Sequence, residues 1–135
     1  ILFHSKKSPI LQQIYDMIID TLENRLDELQ PLDLHNYFLA LSKLKYDRDG
    51  PIEQAGRYIW KNAHKYSVSE LTNILVALGD LEFADHDLVK ALHRNLCADK
   101  TKISPKQLRY LLEAYSQLFP ENIKFYQDIV GVLPA

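Results

Sequence analysis

Five histidines and a single cysteine are the side chains of this sequence best suited to catalysis or metal binding. No two of the histidines stand four residues apart with a carboxylate between them, which is the helical spacing that holds a zinc ion. His86 lies between Asp85 and Asp87 at an expected helix start, where acidic side chains favour the helix dipole. Cys97 follows Leu96 on the expected buried side of a helix and acts there as a small hydrophobe. The sequence therefore predicts no metal and no cofactor.

The acidic side chains and the glycines show no catalytic arrangement either. Asp20, Glu23, Asp27 and Glu28 surround Arg25 on a face that we expect to be solvated, so no pair of carboxylates is buried for acid–base chemistry. The four glycines form no phosphate-binding motif. We therefore expect a chain that is not an enzyme and that has no small-molecule substrate.

Basic residues are unevenly distributed along the chain, although its net charge is only −2. Residues 88–109 contain six lysines or arginines and one acid, and residues 57–65 add three basic residues and no acid. Arg57, Lys61 and Lys65 share one helical face, and Arg94 lies 37 residues after Arg57. This pattern predicts a basic ridge that contacts nucleic-acid phosphates, with an ordinary solvated face as the alternative. The candidate phosphate contacts are Arg57, Lys61, Lys65, Lys90, Arg94, Lys100, Lys102, Lys106 and Arg109.

A second candidate surface is formed by side chains that lie opposite the apolar stripe of three expected helices. Such positions meet the bases or the partner in repeat proteins that read one base per unit. Their net charge is −1, which suits a protein partner as well as RNA, and Tyr110 is placed either to stack on a base or to pack between repeats. The candidate residues are Asn36, Lys43, Asn73, Asp80, Tyr110 and Gln117, with Leu39, Val76 and Glu113 between them.

An internal repeat of 37 residues must position both sets of side chains. One short pattern, of which Leu-Ala-Leu-Ser-Lys-Leu is the first copy, recurs with its alanine at Ala40, Ala77 and Ala114. Apolar residues at i, i+3, i+7 and i+10 form a stripe of helical period in each copy. Ser67 and Ser104 begin capping boxes, and a second amphipathic helix follows each turn. The alanines are expected where helices approach too closely for a larger side chain.

Two helices per unit, stacked unit on unit, predict an all-α fold of the α-solenoid type, with a plain helical bundle as the alternative. We expect residues 1–29 to be the end of a preceding repeat whose second helix is 9–29, and the chain to be a piece of a longer array. Repeats 1, 2 and 3 are expected at 30–66, 67–103 and 104–135. Helices are predicted near 9–29, 31–45, 51–65, 68–82, 87–99, 105–118 and 121–133.

The composition agrees with a folded helical chain of 135 residues. Forty-seven per cent of the residues are apolar and 25% are charged, which excludes disorder by composition. No apolar run approaches the ~20 residues of a membrane span, so no membrane-spanning segment is predicted. A single cysteine also excludes an internal disulfide.

Two segments carry a resemblance to a known family. Residues 66–83 and 103–118 share a Ser start, a central Leu-x-x-Ala-type core and a turn before a second helix. In these features the chain resembles the octotricopeptide, heptatricopeptide and FAST-kinase-like repeats that accompany RAP domains in organellar proteins. The resemblance covers about residues 30–135. It implies RNA binding in mitochondria or plastids, in RNA processing, translation or ribosome assembly, and we take the mitochondrion as the expected location.

Two functional hypotheses follow from these observations. The first is an RNA-binding module of a mitochondrial ribonucleoprotein, whose basic ridge contacts single-stranded RNA or rRNA. The second is a non-catalytic scaffold that docks protein subunits of a large mitochondrial assembly such as the mitoribosome. The near-neutral charge of the chain keeps the second hypothesis open.

Overall fold

The computed structural model describes residues 9–43, 49–98 and 103–130, and these residues form seven α-helices. No β-strand occurs within the described ranges, so the predicted all-α fold is confirmed for them. None of the described helices is long and apolar enough to cross a membrane. The helices are α1 (Pro9–Glu23), α2 (Pro31–Lys43), α3 (Asp49–Lys61), α4 (Val68–Leu81), α5 (His86–Ala98), α6 (Pro105–Leu118) and α7 (Ile123–Val130).

Capping boxes fix the starts of α4 and α6, as the sequence predicts. The Ser67 hydroxyl accepts from the Glu70 amide at 3.1 Å, and the Glu70 carboxylate accepts from the Ser67 amide at 2.8 Å. Ser104 and Gln107 repeat this exchange at 3.1 and 2.9 Å. The two caps are also joined, because the Gln107 side-chain amide donates to the Ser69 hydroxyl at 3.0 Å. The two helices therefore start side by side.

Two helices end earlier than their predicted limits at residues 29 and 65. α1 stops at Glu23 and is followed by the 3₁₀ turn Leu26–Glu28, and α3 stops at Lys61 and is followed by the 3₁₀ turn Ala63–Lys65. Hydrogen bonds between residues three apart tighten the chain at both places, as is common at helix ends. Each turn buries its first residue, Leu26 or Ala63, against the core. Each 3₁₀ turn therefore keeps its first residue, Leu26 or Ala63, in contact with the core while the chain changes direction.

The helices pack in two layers. α2 contacts α4, and α4 contacts α6, which gives layer A. α1 contacts α3, α3 contacts α5, and α5 contacts α7, which gives layer B. Each layer A helix also packs on the layer B helix that follows it in the chain. Each helix from α2 to α7 is therefore held by one partner in the other layer and by at least one neighbour in its own layer.

The core lies between the two layers and is aliphatic over most of its length. Most residues of the predicted apolar stripes are buried, but Tyr37 in α2, Leu81 in α4 and Leu108 in α6 are only partly buried. Aromatic rings fill the end of the core near α6 and α7, where Tyr115 stacks on Phe125 at a centroid distance of 5.2 Å. The most deeply buried side chains include Phe38, Leu41, Ile59, Leu71, Ile74, Leu78, Leu92, Leu96 and Tyr115.

Small residues set the distance between α4 and α6. A Cβ atom added at Gly79 would lie 3.3 Å from the Ala114 Cα atom and 2.5 Å from the Gln117 side-chain oxygen. Ala77 and Ala114 are buried, as predicted for the central alanines. The prediction is wrong for Ala40, which is exposed, because α2 is the first layer A helix in the described part of the chain and that side of it faces solvent.

Replacing Ala77 by Leu is expected to lower the free energy of unfolding by about 1–3 kcal/mol, because a branched side chain must enter a packed helix contact. Ala40→Leu is the matched control one repeat earlier, and it should change the unfolding free energy by less than about 0.5 kcal/mol because the site is exposed. Chemical denaturation followed by circular dichroism measures both. Equal stabilities for the two variants would contradict the packing of α4.

Candidate functional site

Two grooves run along layer B, one between α3 and α5 and one between α5 and α7. The α3–α5 groove has a volume of about 170 Å³ and the α5–α7 groove one of about 670 Å³. All six lining residues of the smaller groove have a counterpart in the larger one, 37 residues later. In the order Gly56, Arg57, Trp60, Asp85, Asp87 and Leu88, these counterparts are His93, Arg94, Cys97, Asn122, Lys124 and Phe125.

The two grooves differ in charge although their positions correspond. In the α3–α5 groove Arg57 is accompanied by Asp85 and Asp87, so that acids outnumber bases. In the α5–α7 groove three basic side chains accompany a single acid, Asp128. A concave surface with one sign of charge in excess concentrates counter-ions. The α5–α7 groove is therefore the better place for an anionic ligand, and its basic residues are Lys90, Arg94 and Lys124.

A buried imidazole forms the floor of the α5–α7 groove. Only 7% of the His93 side chain is exposed, and its two nitrogens contact different helices. Nδ1 lies 2.6 Å from the Tyr115 hydroxyl of α6, and Nε2 lies 2.9 Å from an Asp128 carboxylate oxygen of α7. Lys124 approaches the other Asp128 oxygen at 3.5 Å. One side chain of α5 thus joins α6 and α7.

The protonation states of this cluster follow from its burial. Burial lowers the pKa of His93, and the hydrogen bond to Asp128 only partly opposes that effect. The hydrogen bond from His93 lowers the pKa of Asp128, and burial raises the pKa of Tyr115. At neutral pH a neutral His93 therefore donates from Nε2 to the Asp128 carboxylate and accepts at Nδ1 from the Tyr115 hydroxyl. This tautomer is assigned from the partners of the ring.

The same hydrogen bonds bear on the only cysteine. The Cys97 sulfur lies 3.7 Å from His93 Nε2, but in the assigned tautomer this nitrogen carries a proton that it donates to Asp128. The lone pair of Nδ1 is taken by the Tyr115 hydroxyl. Neither ring nitrogen is therefore positioned as a base for the thiol, which is what an activated cysteine nucleophile requires.

Aromatic side chains form one wall of the α5–α7 groove. Phe125 lies 4.7 Å from the His93 ring, measured between centroids, and is buried. The His86 ring is nearly parallel to Phe125, with an interplanar angle of 28°, and meets Phe119 edge-on at 5.4 Å. His86 is exposed, so the outer face of this aromatic cluster is open to a ligand.

Layer A carries the second predicted surface. Leu39, Val76 and Tyr110 come together in a groove of about 440 Å³ that crosses α2, α4 and α6. The charged and amide groups at this layer A groove are Lys43, Asp80 and Asn73. Gln117 lies in an adjoining depression with Lys43 and Asp80, and Asn36 contacts the His35 ring at 3.1 Å. Six of the nine predicted positions therefore share one groove.

The predicted phosphate contacts do not share one surface. Arg57 and Lys61 on α3, Lys65 in the following turn, and Lys90 and Arg94 on α5 are all exposed on layer B. Lys106 and Arg109 are exposed on α6, in layer A, where the Arg109 guanidinium lies 5.1 Å from the centre of the Tyr110 ring. Lys100 and Lys102 lie outside the described residues.

Sequence reasoning missed Lys124, His93 and Asp128. Lys124 follows Asp87 by 37 residues, so the repeat places it at the groove. It was missed because the equivalent residue one repeat earlier is an acid, so its basic charge does not recur with the 37-residue period. His93 and Asp128 are 35 residues apart and meet only when α5 and α7 pack. Among the described residues, no group of three His, Cys, Asp or Glu side chains is arranged to hold a metal ion.

Known proteins offer no guide to the function of this arrangement, since the chain matches no protein-family model, no curated protein and no solved structure at a significant level. The assignment of binding surfaces therefore rests on the residues and their geometry.

The buried neutral His93 is expected to make the fold less stable in mild acid. Its pKa is lower in the folded chain than the value of about 6.5 in an unfolded one, so the unfolded chain binds the additional proton. The free energy of unfolding should fall as the pH drops below about 7, by up to ~1.4 kcal/mol per pH unit for this single group.

His93→Gln keeps a hydrogen-bond donor but cannot take up a proton, and it should flatten this dependence. His64→Gln, at an exposed histidine, is the control and should leave it unchanged. Denaturant unfolding between pH 5 and 8 measures all three proteins. An unchanged slope in His93→Gln would show that another group causes the acid sensitivity.

Proposed function

We propose that the chain is a segment of an α-solenoid built from units of 37 residues, with the unit bounds 30–66, 67–103 and 104–135 and residues 1–29 as the end of a preceding unit. The layer A helices begin at 31, 68 and 105, and three layer B helices begin at 49, 86 and 123, each 37 residues after the last. The two 3₁₀ turns and the two layer B grooves have the same offset. A plain bundle has no reason to keep these spacings constant.

Inserting a second copy of residues 67–103 after Ile103 is expected to give a folded protein with the same mean helicity and a higher melting temperature, because a solenoid unit needs only its neighbours. A scrambled copy of the same 37 residues is the control and should add no cooperative helix. Circular dichroism and size-exclusion chromatography follow both chains. Aggregation or loss of helix in the duplicated chain would argue for a closed bundle.

The function that we propose is RNA binding, in a mitochondrial ribonucleoprotein that acts in RNA processing, translation or ribosome assembly. The observation that carries it is the α5–α7 groove, in which Lys90, Arg94 and Lys124 line a concave surface beside the exposed ring of His86. Phosphates supply most of the affinity of proteins for nucleic acids, and aromatic rings stack on unpaired bases. The proposed role is binding and not catalysis, and the mitochondrial location rests on the family resemblance.

A second candidate function is the docking of a protein subunit, as a scaffold in a large mitochondrial assembly such as the mitoribosome. The layer A groove favours it, because Leu39, Val76 and Tyr110 offer apolar surface while Lys43 and Asp80 balance each other in charge. Protein interfaces combine such an apolar centre with a polar rim, and they do not require a basic footprint. The two functions use opposite layers and are compatible.

Binding of single-stranded RNA by the whole chain is expected to weaken steeply as salt rises from about 50 to 200 mM, because phosphates that pair with cations release counter-ions. Replacing five of the exposed layer B cations by Ala should flatten the slope by about one unit for each phosphate that no longer has a cationic partner. These cations are Arg57, Lys61, Lys65, Lys90 and Arg94. Fluorescence anisotropy with a labelled oligonucleotide measures the slope.

Two further variants show which layer binds. Lys106→Ala with Arg109→Ala removes two cations from layer A and should affect the slope less than the layer B change. Asn73→Ala with Tyr110→Ala should alter sequence preference without altering the slope if layer A reads bases. A wild-type chain without salt-dependent RNA binding would rule out the RNA function and leave the docking function.

A further inference from the structure

We propose that the α5–α7 groove binds one phosphate-bearing nucleotide of the RNA strand, with the phosphate at Lys90 and Arg94 and the base against His86, and that the α3–α5 groove binds none. This inference rests on the proposed RNA-binding function and assigns it to one site. It separates two arginines, Arg57 and Arg94, that the 37-residue offset makes equivalent.

Charge is the first reason for the distinction. The α3–α5 groove places two carboxylates, Asp85 and Asp87, beside Arg57, and these carboxylates repel a phosphate. In the α5–α7 groove the same two positions are occupied by Asn122 and Lys124. The two substitutions remove both negative charges and add a positive one, while the arginine stays in place.

The acid that remains in the α5–α7 groove does not oppose an anion to the same extent. One oxygen of Asp128 accepts the hydrogen bond from His93, and the other faces Lys124. Lys90 and Arg94 are exposed, and within the described ranges neither has an ion-pair partner. Two cations are therefore available to a phosphate at this groove.

Size is the second reason. A volume of about 670 Å³ is in the range of pockets that hold small molecules, which runs from about 300 to 1,000 Å³, whereas about 170 Å³ is below it. Trp60 occupies the α3–α5 groove at the position where the α5–α7 groove has the smaller Cys97. Of the two layer B grooves, only the α5–α7 groove therefore has the volume for a nucleotide.

The aromatic side chains of the α5–α7 groove provide a surface on which the base can stack. His86 is exposed and lies nearly parallel to the buried Phe125 ring at a centroid distance of 6.3 Å, so a base stacked on its outer face extends an existing stack. Stacking of this kind tolerates every base, because each has a flat π face. We therefore expect a nucleotide site with little sequence preference.

The matched pair Arg94→Ala and Arg57→Ala tests the assignment in the whole chain. With a labelled single-stranded RNA at about 100 mM salt, Arg94→Ala should weaken binding about tenfold or more, because it removes an arginine–phosphate hydrogen bond. Arg57→Ala should weaken it by less than about twofold. Lys124→Asp gives the second groove the acid of the first and should weaken binding at least as much as Arg94→Ala.

A second measurement locates the ligand without RNA. Titration with adenosine 5′-monophosphate should shift the imidazole NMR signals of His86 and His93 but not those of His35 or His64, which lie outside the groove. Inorganic phosphate is the control and should bind about tenfold more weakly or worse, because it has no base to stack. His86→Ala should remove this preference for the nucleotide.

The results of these experiments distinguish a failure of the assigned site from a failure of the proposed RNA-binding function. Equal losses in Arg57→Ala and Arg94→Ala would overturn the assignment to one groove while leaving RNA binding intact. Equal affinity for the nucleotide and for inorganic phosphate would overturn the role of His86. A chain that binds neither RNA nor adenosine 5′-monophosphate would overturn both the site and the proposed function.

Discussion

The close approach of α4 and α6 is the constraint on which the rest of the structure depends. Gly79 and Ala114 bring two layer A backbones so near that an added methyl group would touch the neighbouring chain. At the N-terminal ends of the same two helices, the hydrogen bond between the capping boxes keeps the helix starts in register. With α4 and α6 fixed in this way, α5 and α7 lie next to each other, because each packs on the layer A helix before it. The width of the α5–α7 groove is thus set in the opposite layer.

The two layer B grooves illustrate how little change in sequence is needed to alter a surface when the backbone arrangement is repeated. At equivalent positions Asp becomes Asn or Lys, Trp becomes Cys, and Gly becomes His. None of these exchanges shifts the starts of the helices that carry them. Gly56 lies close to Leu88, 3.3 Å from an added Cβ atom, whereas His93 fills its own position by bonding to Tyr115 and Asp128. The larger side chain is accepted because two neighbouring helices supply polar partners.

Much of the helical framework could be predicted from the sequence because the deciding interactions are local. Ser67, Ser104 and the prolines at 31 and 105 mark helix starts through interactions with residues a few positions away. The 3₁₀ ends could not be predicted in this way because their sequences do not forbid an α-helix, and burial of Leu26 and Ala63 decides the outcome.

The candidate site could be predicted only in part, for a related reason. The exposure of the basic side chains follows from their positions on amphipathic helices, but which of them share a groove depends on packing between helices. The division of these cations between layer A and layer B, the partners of His93 and the contribution of Lys124 all require residues that are far apart in the chain. Periodicity predicts which positions are equivalent, but it does not predict which side chains come into contact when the helices pack.

The repeat also places the only tryptophan and the only cysteine of the chain at equivalent points of the two grooves, Trp60 in one and Cys97 in the other. Trp60 is 53% exposed, so its fluorescence responds to what happens at the α3–α5 groove. The thiol of Cys97 lies beside His93 in the α5–α7 groove and reacts according to what covers it there. The natural chain therefore contains one optical and one chemical reporter, and each observes a single groove.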